Sequence, residues 1–402
     1  LAGNAAFRRL WAAQALSAVG ARVTRTALPI LAILSLDASP AEIALLSTLT
    51  FAPGLAVSLF GGGAVDRNPK RRLMIWADLA RAALLLTVPL AAWSGMLGMA
   101  QVYVVAGLVG MASTLFSIAD NTFLPVIVRK ADLTAANARL EATDAVAEGV
   151  GPGLGGVLVG LIGAPLALAT DALSYLWSAA MLGRIDAPET RREREAEDGT
   201  GPLADARAGF AAAQGHRVVG RLLAASVILS LSGGFFFALY LVVTIDALGL
   251  SPTVTGLIIG VGGIGSAGGA LLAPWLKGRM GEGSALVLAL AVGVAFNFAV
   301  PLSLVWREAA VPLLVSAQLV GDGFMTAFMI LALSLRQEVM PERLLGRVNA
   351  TFHLGEGVAL TLGTLLAGGL TLVLPVEAVI WGAAVGGVVA VPVLLAGLPR
   401  RG

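Results

Sequence analysis

Apolar residues in this chain come in long unbroken runs, and the polar ones are confined to short breaks between them. A helix that crosses a bilayer needs about 20 mostly apolar residues. Twelve runs approach or reach that length, at roughly 10–34, 41–63, 73–94, 100–124, 138–162, 165–183, 221–245, 251–275, 284–305, 310–334, 351–372 and 376–397. Turn residues or charges separate them, as at Asp37 to Pro40, Gly163 to Pro165, Lys277 to Arg279 and Pro341 to Arg343. Strands of a membrane barrel are short and alternate apolar with polar positions, so the pattern predicts helices. The expected fold is all-α and integral to the membrane, with twelve transmembrane helices.

Lys and Arg give the spans a direction. When twelve spans are threaded, the basic residues from Arg8 and Arg9 to Arg400 and Arg401 collect on one side, and the opposite loops hold only Arg307. An excess of positive charge marks the cytoplasmic face, so both termini are expected in the cytoplasm of a cell inner (plasma) membrane. Residues 184–217 interrupt the pattern with a dense charge cluster and a breaker, Gly199 to Pro202. They read as a solvated tether with a short surface helix at 203–217. The expected organisation is therefore an N-terminal bundle at 1–183, a cytoplasmic linker at 184–217 and a C-terminal bundle at 218–402, each bundle of six helices.

A weak internal repeat agrees. A shift of 212 residues lays Leu133, Asn137 and Ala138 on Leu345, Asn349 and Ala350, Asp144 on Glu356, and Gly151 on Gly363. Halves with an even number of spans are parallel repeats.

Composition removes whole classes of function. The chain is 57% hydrophobic and 13% charged, with a mean hydropathy of +0.86, where a soluble protein carries about 25% charged residues. With no cysteine and only His216 and His353, neither a thiolate site nor a histidine-based metal centre or catalytic triad is expected. No phosphate-binding G-x-x-x-x-G-K-[ST] loop is present, which excludes an ATPase module of that kind within the chain. The net charge of +2 lies between apolar runs and points to membrane orientation rather than nucleic acid. The first apolar run is too long and too punctuated by arginine for a cleavable signal sequence. No cofactor and no enzymatic activity are expected.

Two motifs carry chemistry. Residues 60–72 end an apolar run in three glycines, turn at Asn68-Pro69 and present Asp66, Arg67, Lys70, Arg71 and Arg72 before the next run. The spacing Gly62-x3-Asp66-Arg67-x2-Lys70-Arg71 resembles the loop between helices 2 and 3 of major facilitator superfamily transporters. The family usually has Gly at the position of Pro69 and Arg at that of Lys70. Pro69 stiffens the turn and removes an N–H, while Lys70 keeps the charge without the guanidinium fork. In the fifth span, Gly151-Pro152-x-x-Gly155-Gly156 resembles the Gly-Pro-x-x-Gly-Gly motif of the superfamily's exporters. Physically it is a proline bend flanked by glycines that admit a close neighbour, and packing alone is the competing reading. The upstream glycines of the longer motif are replaced by Leu140 and Ala147. Phe7 to Trp11, Ala77 to Ala82 and Leu133-x3-Asn137-Ala138 are similar to the branch that includes macrolide and siderophore exporters. The resemblance spans the whole chain. It implies the major facilitator fold, with spans one, four, seven and ten lining a central cavity.

Ionisable residues at membrane depth are costly, at least about 2.5–3.5 kcal/mol for Arg, Lys or Asp at a helix centre, so each needs a reason. Arg22 and Arg25 lie near mid-depth on one face of span one, and Asp322 lies near mid-depth in span ten between Gly321 and Gly323. A cavity carboxylate opposite cavity arginines is a candidate proton switch; a permanent ion pair is the alternative. Glu141, Asp144 and Glu148 form a stripe on span five, with Glu148 deepest and a rival proton carrier. Asp171 and Glu356 are weaker candidates, and Asp78 with Arg81 reads as a structural pair. The family implies that Asp120, at the cytoplasmic end of span four, meets Arg67 or Arg71 as a gate. Phe235, Phe236 and Tyr240 of span seven are the candidate substrate surface, with lipid-facing aromatics as the other reading.

The sequence thus points to a secondary transporter that exports a hydrophobic or amphipathic small molecule against protons by alternating access. Its partners are that molecule, protons and membrane lipid, and it is expected to work as a monomer. A proton-coupled or facilitative importer of a nutrient, metabolite or lipid is the alternative, and a non-transport membrane protein a more distant one. Substitution of Asp66 or Arg67 is expected to impair transport while leaving the chain folded, because these charges latch the cytoplasmic side. Transport by both single variants at the parental rate, alongside an unchanged size-exclusion profile, contradicts the latch.

Overall fold

The computed structural model describes residues 4–60, 68–186 and 202–398. In order, these form α1 (Ala5–Leu36), α2 (Pro40–Phe60), α3 (Lys70–Trp93), α4 (Met99–Ile127), α5 (Leu133–Ile162), α6 (Ala164–Gly183), α7 (Pro202–Gly215), α8 (Arg217–Leu241), α9 (Pro252–Met280), α10 (Glu282–Asn297), α11 (Ala299–Val305), α12 (Ala310–Ser316), α13 (Asp322–Val339), α14 (Glu342–Thr371), α15 (Val376–Val388) and α16 (Ala390–Leu395). Among the described residues, eleven helical segments are long and apolar enough to cross a membrane. The helix α6, over the expected sixth run, is 20 residues long and lies outside that set. Asp171, Ser174 and Ser178 lower its hydropathy, and all three are buried inside the protein.

Local chemistry explains where the helices start. Asn4 caps α1 by accepting from the Phe7 amide at 3.0 Å. Ser39 and Glu42 form a reciprocal capping box at α2: the Glu42 amide donates to the Ser39 hydroxyl at 3.3 Å, and the Ser39 amide donates to the Glu42 carboxylate at 2.8 Å. His216 accepts from the Val219 amide at 3.4 Å, so one of the two histidines is a helix cap. Gly163 turns the chain from α5 into α6 at φ 82°, a conformation that side chains resist.

Proline accounts for two breaks within runs expected to be single helices. Pro301 and Pro392 lack the N–H that would bond Asn297 and Val388, and those are the last residues of α10 and α15. A different interruption separates α12 from α13, where Ala317–Gly321 forms a π-helical turn. A second π turn, Val242–Ala247, extends α8.

The chain divides into two compact units. The first contains α1 to α6 together with the beginning of α9, residues 250–260; the second contains α7, α8, the rest of α9 and everything beyond it. In the first, α1 packs on α5 and α6, α3 on α4 and α6, and α2 on α4. In the second, α8 packs on α14, α15 and α16, α10 on α13, and the short α7 on α14.

Both units tie down the ends of their last helices alike. The Arg9 guanidinium donates to the Arg184 carbonyl after α6, and Arg217 donates to the Ala396 carbonyl after α16 at 2.9 Å. Cations at the last carbonyls of a helix satisfy orphan acceptors and the negative end of its dipole. The two acceptors are related by the 212-residue shift. So are Gly151, against Arg22 of α1, and Gly363, against Leu231 and Gly234 of α8.

Gly363 therefore has a stringent packing role. A Cβ there meets the Leu231 carbonyl and approaches the Gly234 Cα to 3.1 Å, whereas Gly382 has open space around it. Gly363→Val is expected to destabilise by about 1–3 kcal/mol through overpacking. Gly382→Ala is expected to be neutral or slightly stabilising, since Ala exceeds Gly in helix propensity by about 0.5–1 kcal/mol. Thermal unfolding of both variants in the same detergent checks the contrast.

Candidate functional site

Arg22 and Arg25 are held by carboxylates of the neighbouring α5. Arg22 Nε donates to Glu148 Oε2 at 2.8 Å, and its Nη2 reaches Asp144 at 2.8 Å. Arg25 Nη1 reaches the other oxygen of Glu148 at 3.0 Å. Two guanidiniums and two carboxylates thus form one neutral cluster, with Glu148 bridging both arginines. Glycine makes the approach of the helices close enough: a Cβ on Gly151 would strike the Arg22 Cβ, and one on Gly155 would lie 3.1 Å from the Val23 Cα. The rest of the motif faces elsewhere. A Cβ on Gly156 would lie 2.6 Å from the Gly256 Cα of α9, and one on Gly153 would lie 3.4 Å from the Gly256 carbonyl. Pro152 sits inside a continuous helix. The Gly-Pro motif is a junction with two packing faces, one against α1 and one against the start of α9.

Of the hairpin motif, Gly62, Asp66 and Arg67 lie outside the described residues. Lys70 donates to the Asn68 carbonyl at 3.1 Å, and Arg71 donates to the carbonyls of Gly183, the last residue of α6, and of Ile185 just beyond it. Arg71 therefore ties the start of α3 to the end of α6. Asp120 is half-buried and accepts from Gln14 of α1 at 2.6 Å. Nothing in the local sequence announces Gln14, which lies 106 positions away. In the second unit, Lys277 of α9 bridges Glu282 at 2.7 Å and Glu338 of α13 at 3.3 Å. This is a carboxylate-bridged turn between helices that the sequence reading passed over.

Asp322 begins α13 immediately after the π turn. Its carboxylate and the Gln318 side chain occupy the space beside Gly262 of α9 where a Cβ would otherwise stand. The buried Tyr240 hydroxyl, one residue before the end of α8, lies close to Gln318 and within electrostatic reach of Asp322. Phe235 and Phe236 are half-buried on α8, and Phe237 is exposed. Each π turn inserts one extra residue into a helix and re-aims its side chains, and such bulges occur often at functional sites. Here one π turn begins two residues after Tyr240 and the other ends just before Asp322. The second unit thus offers a carboxylate, an amide and a phenol beside a glycine-lined wall. His353 is exposed and Glu356 half-buried on α14.

Long apolar helices that hold charged clusters between them are the architecture of a membrane transporter. The sequence profile of the Major Facilitator Superfamily matches residues 10–321, and the chain belongs to that family. An uncharacterized MFS-type transporter, y4rN, of Sinorhizobium fredii (strain NBRC 101917 / NGR234) is 27% identical over 327 residues, covering 77% of this chain and 78% of that protein. The inward-facing crystal structure of a bacterial homologue of the iron transporter ferroportin matches with a TM-score of 0.77 at 17% identity, over 97% of this chain and 98% of that one. The crystal structure of the nucleoside transporter NupG matches with a TM-score of 0.76 at 14% identity, over 98% of this chain and 100% of that one. The protein is a multi-pass membrane transporter of this superfamily.

The four-charge cluster makes a measurable prediction. A double-mutant cycle of Arg22→Gln with Glu148→Gln is expected to give a coupling energy of about 1 kcal/mol in thermal unfolding, the upper end for half-exposed pairs. A coupling indistinguishable from zero contradicts a held cluster.

Proposed function

We propose that the protein exports hydrophobic or amphipathic small molecules in exchange for protons, by alternating access of two six-helix bundles. In this reading residues 1–183 and 218–402 form the bundles, 184–217 is their cytoplasmic linker, and a monomer works in the inner membrane with both termini cytoplasmic. Supporting the orientation is the one-sided distribution of Lys and Arg. Export is supported by the resemblance of Gly151 to Gly156 to the superfamily's exporter motif. The iron and the nucleosides in the neighbours' names belong to those proteins, and a likeness at 14–17% identity concerns the fold.

The observation that carries the proposal is the surrounding of Asp322. A single carboxylate stands after a π turn beside Gln318, Tyr240 and Gly262. A carboxylate without a guanidinium partner can be neutral or charged according to which side supplies protons, whereas a carboxylate clamped by arginines stays ionised. Asp322 is accordingly the proton carrier, and Glu148, bonded to Arg22 and Arg25, organises the first unit. The half-buried Phe235 and Phe236 and the phenol of Tyr240 supply an apolar surface with one polar handle, suited to an amphipathic guest.

Everted membrane vesicles test this with ethidium and erythromycin as probes. Wild-type protein is expected to concentrate at least one of them when the membrane is energised. Asp322→Asn keeps hydrogen bonding but cannot ionise, so it is expected to lose uphill accumulation while retaining energy-independent exchange. Accumulation that survives in Asp322→Asn and disappears in Glu148→Gln moves the proton path to α5 and contradicts the assignment.

A further inference from the structure

The first unit contains a second polar cluster, separate from the arginines that face α5. Asp78 and Arg81 of α3 and Asp171 of α6 are buried together, with relative exposures of 0%, 5% and 0%. Arg81 pairs with Asp78 and lies between two rings, 4.6 Å from the centroid of Phe116 on α4 and 4.1 Å from that of Tyr175 on α6. Its Nη1 also donates to Ser113 at 3.4 Å. Asp171 has a different set of partners: Thr24 of α1 donates to one carboxylate oxygen, and Ser174 donates to the other at 2.9 Å.

Two features separate this cage from an ordinary structural ion pair. The first is charge. Two carboxylates share one guanidinium, and that guanidinium bonds Asp78. Every element around Asp171 can be accounted for: α3 brings Asp78 and Arg81, α6 brings Tyr175, α1 brings Gly20 and Thr24, and α4 brings Ser113 and Phe116. Arg22 and Arg25 are engaged by α5. Among the described residues the cage therefore holds one more carboxylate than guanidinium, and an uncompensated charge is costly in a low-dielectric interior. The second feature is an asymmetry of bonding: Asp78 is held by Arg81 and faces Ser178, whereas Asp171 accepts from the hydroxyl groups of Thr24 and Ser174.

We propose that Asp171 binds and releases one exchangeable proton, and that this proton reverses the hydrogen bond tying α6 to α1. When Asp171 is ionised, the Thr24 and Ser174 hydroxyls both donate to it. When it takes a proton from water, the new O–H becomes a donor, and Thr24 Oγ1 becomes its acceptor. The Thr24 hydroxyl hydrogen then turns to a carbonyl of its own helix one turn earlier, as helical threonines do. No other bond forms or breaks. The exchange acts on α1 at closest range, because a Cβ on Gly20 would collide with Asp171 and Ser174. Thr24 also stands between Arg22 and Arg25 in sequence, so a shift of α1 against α6 alters the face that α5 clamps. The link to transport rests on the proton-driven reading above; the proton site itself stands apart from it.

Infrared pH-difference spectroscopy of the full chain in lipid vesicles tests the site with protons as the only ligand, so a wrong substrate or direction of transport leaves the result unaffected. A protonated-carboxyl carbonyl band is expected between about pH 9 and about pH 5, retained in the double variant Asp322→Asn/Glu148→Gln and lost in Asp171→Asn. The absence of such a band in that double variant, or its persistence in Asp171→Asn, overturns the proposal. Should Asp171→Asn fail to fold, Thr24→Val decides, since it removes one hydroxyl and nothing else from the cage. The band then moves to higher frequency because the carboxyl has lost a hydrogen-bond partner; an unmoved band overturns the proposal.

Discussion

Neutralising charge inside an apolar bundle is the constraint on which the first unit is built, and α1 meets it twice. On one side Arg22 and Arg25 are matched by Asp144 and Glu148 of α5. On another, Thr24 supplies a hydrogen bond to Asp171 of α6. Neither contact forms unless the helices come very close. Gly20 removes the side chain that would block α6, and Gly151 and Gly155 remove those that would block α5. Without a hydrophobic force between helices in lipid, such small-residue contacts and interhelical hydrogen bonds hold the bundle together. The glycines and the charges are thus parts of a single arrangement: each buried polar group needs a partner, and each partner needs a helix at short range.

The second unit meets the same constraint differently. Its helix ends are tied by Lys277 to Glu282 and Glu338, and by Arg217 to the end of α16. Deeper in, Asp322 faces an amide, a phenol and a glycine wall. The two units therefore handle carboxylates differently: arginines clamp Asp144 and Glu148 in the first, whereas Asp171 there is held by hydroxyl groups and Asp322 in the second stands beside Gln318.

Much of this architecture was readable from the chain. Run length placed most of the helices. The repeat held at the level of single contacts, since Gly151 and Gly363 serve equivalent helix pairs. Pro301 and Pro392 were visible as breakers within their runs, yet the runs were read as single helices because hydropathy averages over a break. The π turns were not legible, because no residue type marks an i→i+5 bond. Long-range partners were hidden as well. Gln14 for Asp120, the carbonyls at the end of α6 for Arg71, and Thr24 for Asp171 depend on how helices over a hundred positions apart are packed. Asp78 and Arg81 read correctly as a close pair, but the third charge beside them comes from another helix.

The account stands or falls on thermodynamic coupling between protons and cargo. The most direct measurement uses purified protein in sealed proteoliposomes, with membrane voltage held at zero and ethidium or erythromycin as cargo. At each imposed pH difference, the cargo ratio across the membrane at which net flux vanishes is recorded. Exchange of one proton for one molecule of a cargo whose charge is fixed predicts that this ratio shifts about tenfold per pH unit, 1.36 kcal/mol of proton gradient being one decade of concentration. A null ratio that stays at one for every pH difference, while cargo still moves, contradicts the account and describes an uncoupled carrier.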